Sequence, residues 1–245
     1  MPTPLQQPPV MAALQNSANM DDVSGARIMD TANSTKSLGP LQMLKIDLQR
    51  YNDYHYKVGS LKYWRFVVKQ AYTHPGLLAV VVFRYGGWVR TVRIPVVRQI
   101  LDAYYQYLYN WVRFRLQIEI PRDVAIGAGL RVDHYGGILI NSQSVIGRNF
   151  TITQGVLLGQ TESGAPVIGD DVNCGVGVKI IGGIKVGNCM KIGSGSIVTK
   201  SFPGKAVIAG VPAKELRKLL RAPERNGWIP GPDWVPEPGE EYPDA

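Results

Sequence analysis

The chain has 245 residues, of which 45% are hydrophobic, and it carries 27 Lys and Arg against 19 Asp and Glu, a net charge of +8. Its longest apolar run, 77–83, is far shorter than the roughly 20 residues of a spanning helix, so the sequence predicts no transmembrane segment. Two cysteines, Cys174 and Cys189, are too few for a disulfide framework, which favours buried or half-buried thiols in a globular cytoplasmic protein.

The two ends of the sequence are predicted to lack regular structure. Residues 1–40 mix Pro, Gln, Ser, Asn and Thr without the basic start and apolar stretch of a signal peptide, which indicates a disordered leader. Residues 217–245 are predicted to form an acidic tail. From 222 onward they hold six acidic residues, six prolines and one basic residue, Arg225.

Residues 41–118 are predicted to form a basic, aromatic-rich α-helical domain. Apolar residues recur at helical spacing over 41–51, a second helix begins at Ser60 and must end before His74, a third apolar stretch covers 77–89, and a long fourth helix begins at Pro95. Between 41 and 116, twelve Lys or Arg stand against three Asp, and sixteen residues are aromatic. This balance suits an anionic carbohydrate or an anionic membrane surface, although such aromatic residues also simply pack helices.

From Ile120 onward the apolar period changes from 3.6 to six. Thirteen aliphatic or small positions follow this period with two interruptions: Ile120, Ile126, Val132, Ile138, Ile146, Ile152, Leu158, Ile168, Cys174, Ile180, Val186, Ile192 and Val198. Glycine follows many of them, which suits short strands that meet at tight corners. Residues 119–216 are therefore predicted to form a parallel β-helix.

The repeats and three further motifs resemble those of known enzymes. The motifs are Val132-Asp133-His134-Tyr135-Gly136-Gly137-Ile138, Gln154-Gly155-Val156-Leu157-Leu158-Gly159 and Val211-Pro212-Ala213-Lys214. Together with His74-Pro75-Gly76 and Phe83-Arg84-Tyr85, they resemble hexapeptide-repeat acyltransferases of the serine acetyltransferase branch over residues 41–216. The resemblance implies a mainly β fold, a left-handed parallel β-helix preceded by an α-helical domain. It also implies acetyl-CoA as donor and a homotrimer, which in this branch can pair into a dimer of trimers.

Of the three histidines, His134 alone stands among the repeats, and it matches the position of the family's catalytic base; His55 and His74 lie at helix ends. Glu119 matches the family's acidic partner of that base. It precedes His134 by 15 residues, close to a coil of about 18, which predicts a separation of one strand spacing, ~4.8 Å. Asp133 and Tyr135 are candidates for contact with the acceptor. Asp133 could equally orient the base or satisfy turn amides.

The resemblance also implies a donor site built largely from backbone, between coils of adjacent subunits. The matching positions are Gly159, Gln160, Thr161, Val176, Gly177, Ser194 and Gly195, with Lys200 and Lys214 as candidates for the phosphates of coenzyme A.

The serine acetyltransferase branch carries an Arg-His pair on the loop that matches residues 160–166. Here Gly164 and Ala165 stand in its place, so an amino-acid carboxylate would lose its bidentate partner. We therefore expect a sugar or polysaccharide-precursor acceptor in cell-surface polysaccharide biosynthesis, with peripheral membrane association. Serine acetylation in cysteine biosynthesis and a non-catalytic scaffold are the alternatives.

Two other classes of function are disfavoured. A carbonic anhydrase of β-helical type requires three histidines on facing coils, whereas the repeats contain one, so no metal is expected. The basic residues follow no nucleic-acid-binding motif.

Overall fold

The computed structural model describes residues 38–51 and 74–218, with the single helical positions Lys62, Arg65 and Lys69 between them. Helix α1 (Pro40–Gln49), helix α2 (Pro75–Val89) and helix α3 (Pro95–Trp111) each begin with proline, whose missing N–H is not needed in a first helical turn. They confirm three of the four predicted helices. The helix predicted from Ser60 lies outside the described residues apart from those three positions. No helix in the described ranges is both long and apolar enough to cross a membrane.

After α3, a π-helical turn (Val112–Leu116) leads into fifteen short strands that wind into a parallel β-helix. The strands are β1 (Ile118–Glu119), β2 (Ala125–Ile126), β3 (Arg131–Val132), β4 (Ile138–Ile140), β5 (Val145–Ile146), β6 (Thr151–Ile152), β7 (Leu157–Gly159), β8 (Val167–Ile168), β9 (Asn173–Cys174), β10 (Lys179–Ile181), β11 (Lys185–Val186), β12 (Met190–Ile192), β13 (Ile197–Val198), β14 (Ala206–Gly210) and β15 (Ala213–Lys218). From β1 to β14, each strand enters a different sheet from the strand before it, which confirms the predicted mainly β fold; β14 and β15 pair with each other in one sheet.

Three sheets form the sides of the β-helix. One has the order β1-β4-β7-β10-β13, the second β2-β5-β8-β11, and the third β3-β6-β9-β12-β14-β15. All their neighbouring strands run parallel except β14 and β15, which pair antiparallel. We call them the five-, four- and six-stranded sheets.

The thirteen residues that recur with the six-residue period lie in the core of the β-helix, together with other buried side chains such as Leu130, Phe150 and Met190. All are at most 5% exposed. Burying an aliphatic side chain of this size contributes roughly 1.5–3 kcal/mol. The repeat therefore specifies the core as well as the strand positions.

The helices dock on the first coil of the β-helix through buried polar side chains. A first coil has no preceding coil to satisfy its backbone, and unpaired buried backbone groups are costly. The Asp47 carboxylate of α1 accepts hydrogen bonds from the amides of Gly129 (2.6 Å) and Leu130 (2.8 Å). Arg84 of α2 donates to Asp47 (2.7 Å) and to the Ile126 carbonyl (2.8 Å). These contacts replace the missing coil.

A second group of contacts fixes the backbone immediately before His134. The Tyr51 hydroxyl accepts a hydrogen bond from the Val132 amide (2.7 Å) and donates one to the Val132 carbonyl (3.1 Å). Arg131 donates to the carbonyl of Arg50 (2.5 Å). The helical region thus holds β3 at its free edge, where no preceding strand pairs with it.

Candidate active site

His134 lies in the corner between the six-stranded and five-stranded sheets, and this corner is longer than the one below it. Val132 pairs with Ile152, an offset of 20 residues, whereas Leu139 pairs with Leu157, an offset of 18. The corner therefore contains two additional residues relative to the next coil. The sequence pattern placed the first interruption one corner later, between Ile138 and Ile146, whereas the structure places the two additional residues here. They carry His134 and Tyr135 outward, so that both are exposed.

Glycines with positive φ line the same corner in successive coils. Gly137, Gly155, Gly177 and Gly195, which we call the glycine ladder, have φ values of 66°, 73°, 70° and 70°. A Cβ atom on Gly155 would lie 3.2 Å from the Cα of Gly177, closer than ordinary van der Waals contact. The ladder keeps this edge of the β-helix narrow below the histidine.

The residues around His134 differ in how they are held. Asp133 is half-buried, and its carboxylate is paired with the guanidinium of Arg131. Tyr135 is 56% exposed. The His134 imidazole makes no hydrogen bond with any described residue. It is therefore free to meet an incoming molecule on the outer side of the corner.

Glu119 lies elsewhere than the spacing argument predicted. In the five-stranded sheet it pairs with Leu139, not with His134, because the first coil is 20 residues long, as the pairing of Ile118 with Ile138 shows. Its carboxylate Oε2 accepts a hydrogen bond from Nε of Arg113 at 3.0 Å. The expected separation of one strand spacing from the histidine is thus wrong, and the partner that the structure gives Glu119 is Arg113.

Arg113 and Tyr109 were not predicted as site residues, because both occupy ordinary positions of a predicted helix. Burial raises the pKa of Tyr109, the nearby Glu119 raises it further, and Arg113 lowers it. Tyr109, Arg113 and Glu119 therefore form one electrostatic cluster beside the His134 corner. The π-helical turn, which the apolar periodicity did not predict, brings this cluster together.

The predicted donor-site residues fall on both edges of the five-stranded sheet. Val176, Gly177, Ser194 and Gly195 lie in the corners below His134, where the Gly195 amide donates to the Val176 carbonyl at 2.7 Å. Val176 is 42% exposed. The other edge, between the five- and four-stranded sheets, holds a second group: Gly159, Gln160, Thr161 and Lys200. Lys214 lies on β15 of the six-stranded sheet, apart from both groups.

Between these two edges runs the outer face of the five-stranded sheet. Its outward positions are occupied by Glu119, Leu139, Leu157, Lys179 and Ile197. An elongated molecule lying across this face would contact both groups of predicted residues. The structure therefore brings most of them to one side of the β-helix, with His134 at its upper end.

The loop 160–166 is the second interruption of the period. Val145 pairs with Val167 at an offset of 22, so this coil is longer. Thr161 and Gly164 exchange two backbone hydrogen bonds of 3.0 Å each, and the Ser163 hydroxyl accepts one from the Gly183 amide at 3.0 Å. The loop is a small polar hairpin that carries no basic side chain.

Comparison with known proteins gives relatives of one kind. No protein-family model matches the chain. The serine acetyltransferase of Synechococcus elongatus is 31% identical over 145 residues, 58% of this chain and 57% of the relative. That of Escherichia coli K12 is 36% identical over 147 residues, 58% of this chain and 51% of the relative. The chain thus spans about half the length of the curated relatives it matches.

Solved structures agree with these sequences. The serine acetyltransferase of Brucella abortus strain S19 superposes with a TM-score of 0.59 and 28% identity, over 89% of this chain and 86% of that one. A serine acetyltransferase in complex with CoA gives a TM-score of 0.55 and 26% identity, over 84% and 83%.

These relatives overturn the predicted sugar acceptor. That prediction treated the missing arginine of loop 160–166 as decisive, whereas matched sequences and structures are serine acetyltransferases. A cation at another position of the chain can also bind the carboxylate of an acceptor. The chain is thus a hexapeptide-repeat β-helix protein that is similar, in sequence and in fold, to serine acetyltransferases.

Proposed function

We propose that the protein is an acetyl-CoA-dependent acyltransferase that moves the acetyl group of acetyl-CoA to the hydroxyl of serine. The observation that carries the proposal is the exposed His134, in the lengthened corner whose sequence matches the serine acetyltransferase motif. The similarity to serine acetyltransferases supports both the donor and the acceptor.

In this proposal His134 is the general base. An alcohol is a weak nucleophile until its proton is removed as it attacks, and a histidine within reach of the hydroxyl can take that proton. The serine oxygen forms a bond to the thioester carbon, the C–S bond breaks as the intermediate collapses, and the proton from the hydroxyl passes to the departing sulfur. Glu119 supports the charge on the imidazolium through the local field. Asp133 and Tyr135 border the acceptor.

The donor is proposed to lie along the outer face of the five-stranded sheet. Backbone amides at its two edges would bind the pantetheine chain and stabilise the developing oxyanion. The matching residues are Gly159, Gln160, Thr161, Val176, Gly177, Ser194 and Gly195. Lys200 extends over the Phe202 ring at the lower part of this face and could meet a phosphate. Lys214 would reach one only from a neighbouring subunit, because it lies on another sheet.

We also propose a homotrimer, in which a neighbouring subunit completes the donor site. Leu139 on the outer face is 41% exposed and Val176 in the corner is 42% exposed, and both adjoin the predicted donor path. Helix α3 exposes a second apolar face through Val97, Ile100 and Tyr104. This second face supports the pairing of trimers through their helical regions. Location in the cytoplasm and contact of the basic helices with a membrane surface stay predictions.

The proposal is tested with the purified full-length chain, acetyl-CoA and L-serine, by thiol release and by mass spectrometry of the acetylated amino acid. We expect saturable release of coenzyme A with equimolar O-acetylserine. L-alanine, which lacks only the hydroxyl, is the matched control and should give background hydrolysis. If serine and alanine give equal rates, the proposal fails. If coenzyme A also leaves the melting temperature unchanged, the chain is better explained as a scaffold.

A further inference from the structure

We infer that Arg113 binds the carboxylate of the acceptor, in place of the arginine that loop 160–166 lacks. The inference rests on the proposed function, because it assumes an amino-acid acceptor. A free amino acid carries an anionic carboxylate, which an arginine fork binds in bidentate fashion. Gly164 and Ala165 cannot supply that cation, so another part of the chain must.

The π-helical turn brings Arg113 to the required place. This turn, Val112–Leu116, ends at Gln117, whose φ of 54° is left-handed, and the chain then enters β1. Single π-helical turns are rare and occur frequently at functional sites. The turn also lies directly against the His134 corner, because the Gly136 amide donates to the Leu116 carbonyl at 3.0 Å and the Ile138 amide donates to the Gln117 carbonyl at 3.0 Å.

The guanidinium of Arg113 has hydrogen-bond donors that no described residue uses. Its Nε binds Glu119 at 3.0 Å, its side chain is 45% exposed, and its two terminal nitrogens make no hydrogen bond with a described residue. A guanidinium presents the two terminal nitrogens as a planar fork that matches a carboxylate in bidentate fashion. Arg113 can therefore hold Glu119 with one edge and the acceptor with the other.

Other arginines of the described structure do not offer this arrangement. Arg131 is committed to Asp133 and to the carbonyl of Arg50. Arg148 is paired with Asp170 through two of its nitrogens, at 3.2 Å and 2.6 Å. Arg115 is exposed in the same π-helical turn but makes no ion pair with Glu119, which makes it a matched control.

The test compares Arg113→Gln and Arg115→Gln, each with L-serine and with L-serinamide, which keeps the hydroxyl and the amino group but has no carboxylate. Hydrogen bonds to charged groups contribute about 1.5–3 kcal/mol, so Arg113→Gln should raise KM for serine by roughly 10- to 100-fold. KM for serinamide and for acetyl-CoA should change by less than about threefold. Arg113→Lys, which keeps the charge and loses the planar fork, should fall between. Arg115→Gln should match wild type throughout.

Three results would overturn the inference, and they differ in what else they imply. An unchanged KM for serine in Arg113→Gln rejects it while leaving the proposed function intact. An equal rise in KM for serine and serinamide assigns Arg113 a structural role, since that effect does not depend on the carboxylate. A wild-type protein that acetylates serinamide but not serine rejects both the carboxylate contact and serine as the acceptor.

Discussion

The surroundings of His134 leave its side chain accessible to an incoming molecule. The corner beneath it is two residues shorter, so its side chain is carried outward, and no described residue forms a hydrogen bond with its imidazole. An exposed imidazole that has no hydrogen-bond partner among the described residues suits a base that takes the proton of an incoming hydroxyl.

Replacement of His134 by alanine tests this role. Loss of a general base lowers rates by about 10²–10⁴-fold, so kcat with serine should fall by that factor in His134→Ala. KM for acetyl-CoA should stay nearly constant, because the donor is proposed to contact mainly backbone. The exposed position predicts an unchanged melting temperature. Steady-state kinetics gives kcat and KM, and calorimetry gives the melting temperature. A variant with wild-type kcat would show that the histidine is not the base.

The two thiols show how burial sets chemical reactivity at the scale of one residue. Cys174 is buried and Cys189 is half-buried, as the sequence predicted. Burial raises the pKa of Cys174 to about 12. Burial, with the nearby Asp171 and Asp170, raises the pKa of Cys189 to about 11, against an opposing effect of Lys205. Both thiols are therefore protonated near neutral pH.

Alkylation with iodoacetamide at pH 7.5 should accordingly be slow in the native protein and fast in denaturant, because the thiolate is the nucleophile. The same shift affects stability. An unfolded thiol ionises near pH 9.0, so between about pH 9 and pH 11 the unfolded chain loses protons that the folded chain retains, and stability falls as pH rises. Mass spectrometry over time follows the labelling. Rapid native labelling of both cysteines would contradict the buried placement.

At the scale of elements, the β-helix was predictable and its attachment to the helices was not. The six-residue period specified the core, because each inward position repeats the same geometry. The second interruption of that period also marked an irregular corner, the loop 160–166, whereas the first was predicted after Ile138 and lies before it, in the corner that holds His134. In contrast, Asp47 and Gly129 are 82 residues apart in sequence, and no local pattern reports their hydrogen bond. The predicted position of Glu119 was wrong for a related reason. The length of each coil depends on the number of residues in its corners, and an average six-residue period does not give that number.

The Asp47–Arg84 pair should be a main determinant of how the helices are held. Asp47 is fully buried and Arg84 is 4% exposed, whereas Arg90 and Asp123 form an ion pair at the surface with 50% and 61% exposure. Removing one partner of a buried pair costs about 3–5 kcal/mol, so Asp47→Ala should lower the free energy of unfolding by that amount. Asp123→Ala should cost less than about 1 kcal/mol. Urea denaturation gives the free energy of unfolding of both variants. Equal losses in the two would show that the buried pair stabilises the fold no more than the surface pair does.

At the scale of the whole molecule, the exposed Leu139 and Val176 at the five-stranded sheet support the proposed assembly. Light scattering should give a mass of three times the 27.0 kDa chain. Leu139→Glu places a charge on the outer face of the five-stranded sheet and should dissociate the trimer, because charges are depleted in interface cores. Leu216→Glu is the control: Leu216 is 65% exposed on β15 of the six-stranded sheet, away from this face. A wild-type monomer would contradict the proposed assembly.

The antiparallel strand β15 and the docked helices have a joint consequence for how copies of the chain can associate. A stack of parallel coils could in principle grow without limit, as each terminal strand offers unpaired amides and carbonyls to another chain. In the six-stranded sheet, β3 already uses such groups on Tyr51, and β15 ends the other side with Lys214, Glu215, Arg217 and Lys218 facing outward. Charged terminal strands resist pairing with a neighbour. Fibre growth along this sheet is thereby blocked at both ends, which leaves the sides of the β-helix for contacts such as those of the proposed trimer.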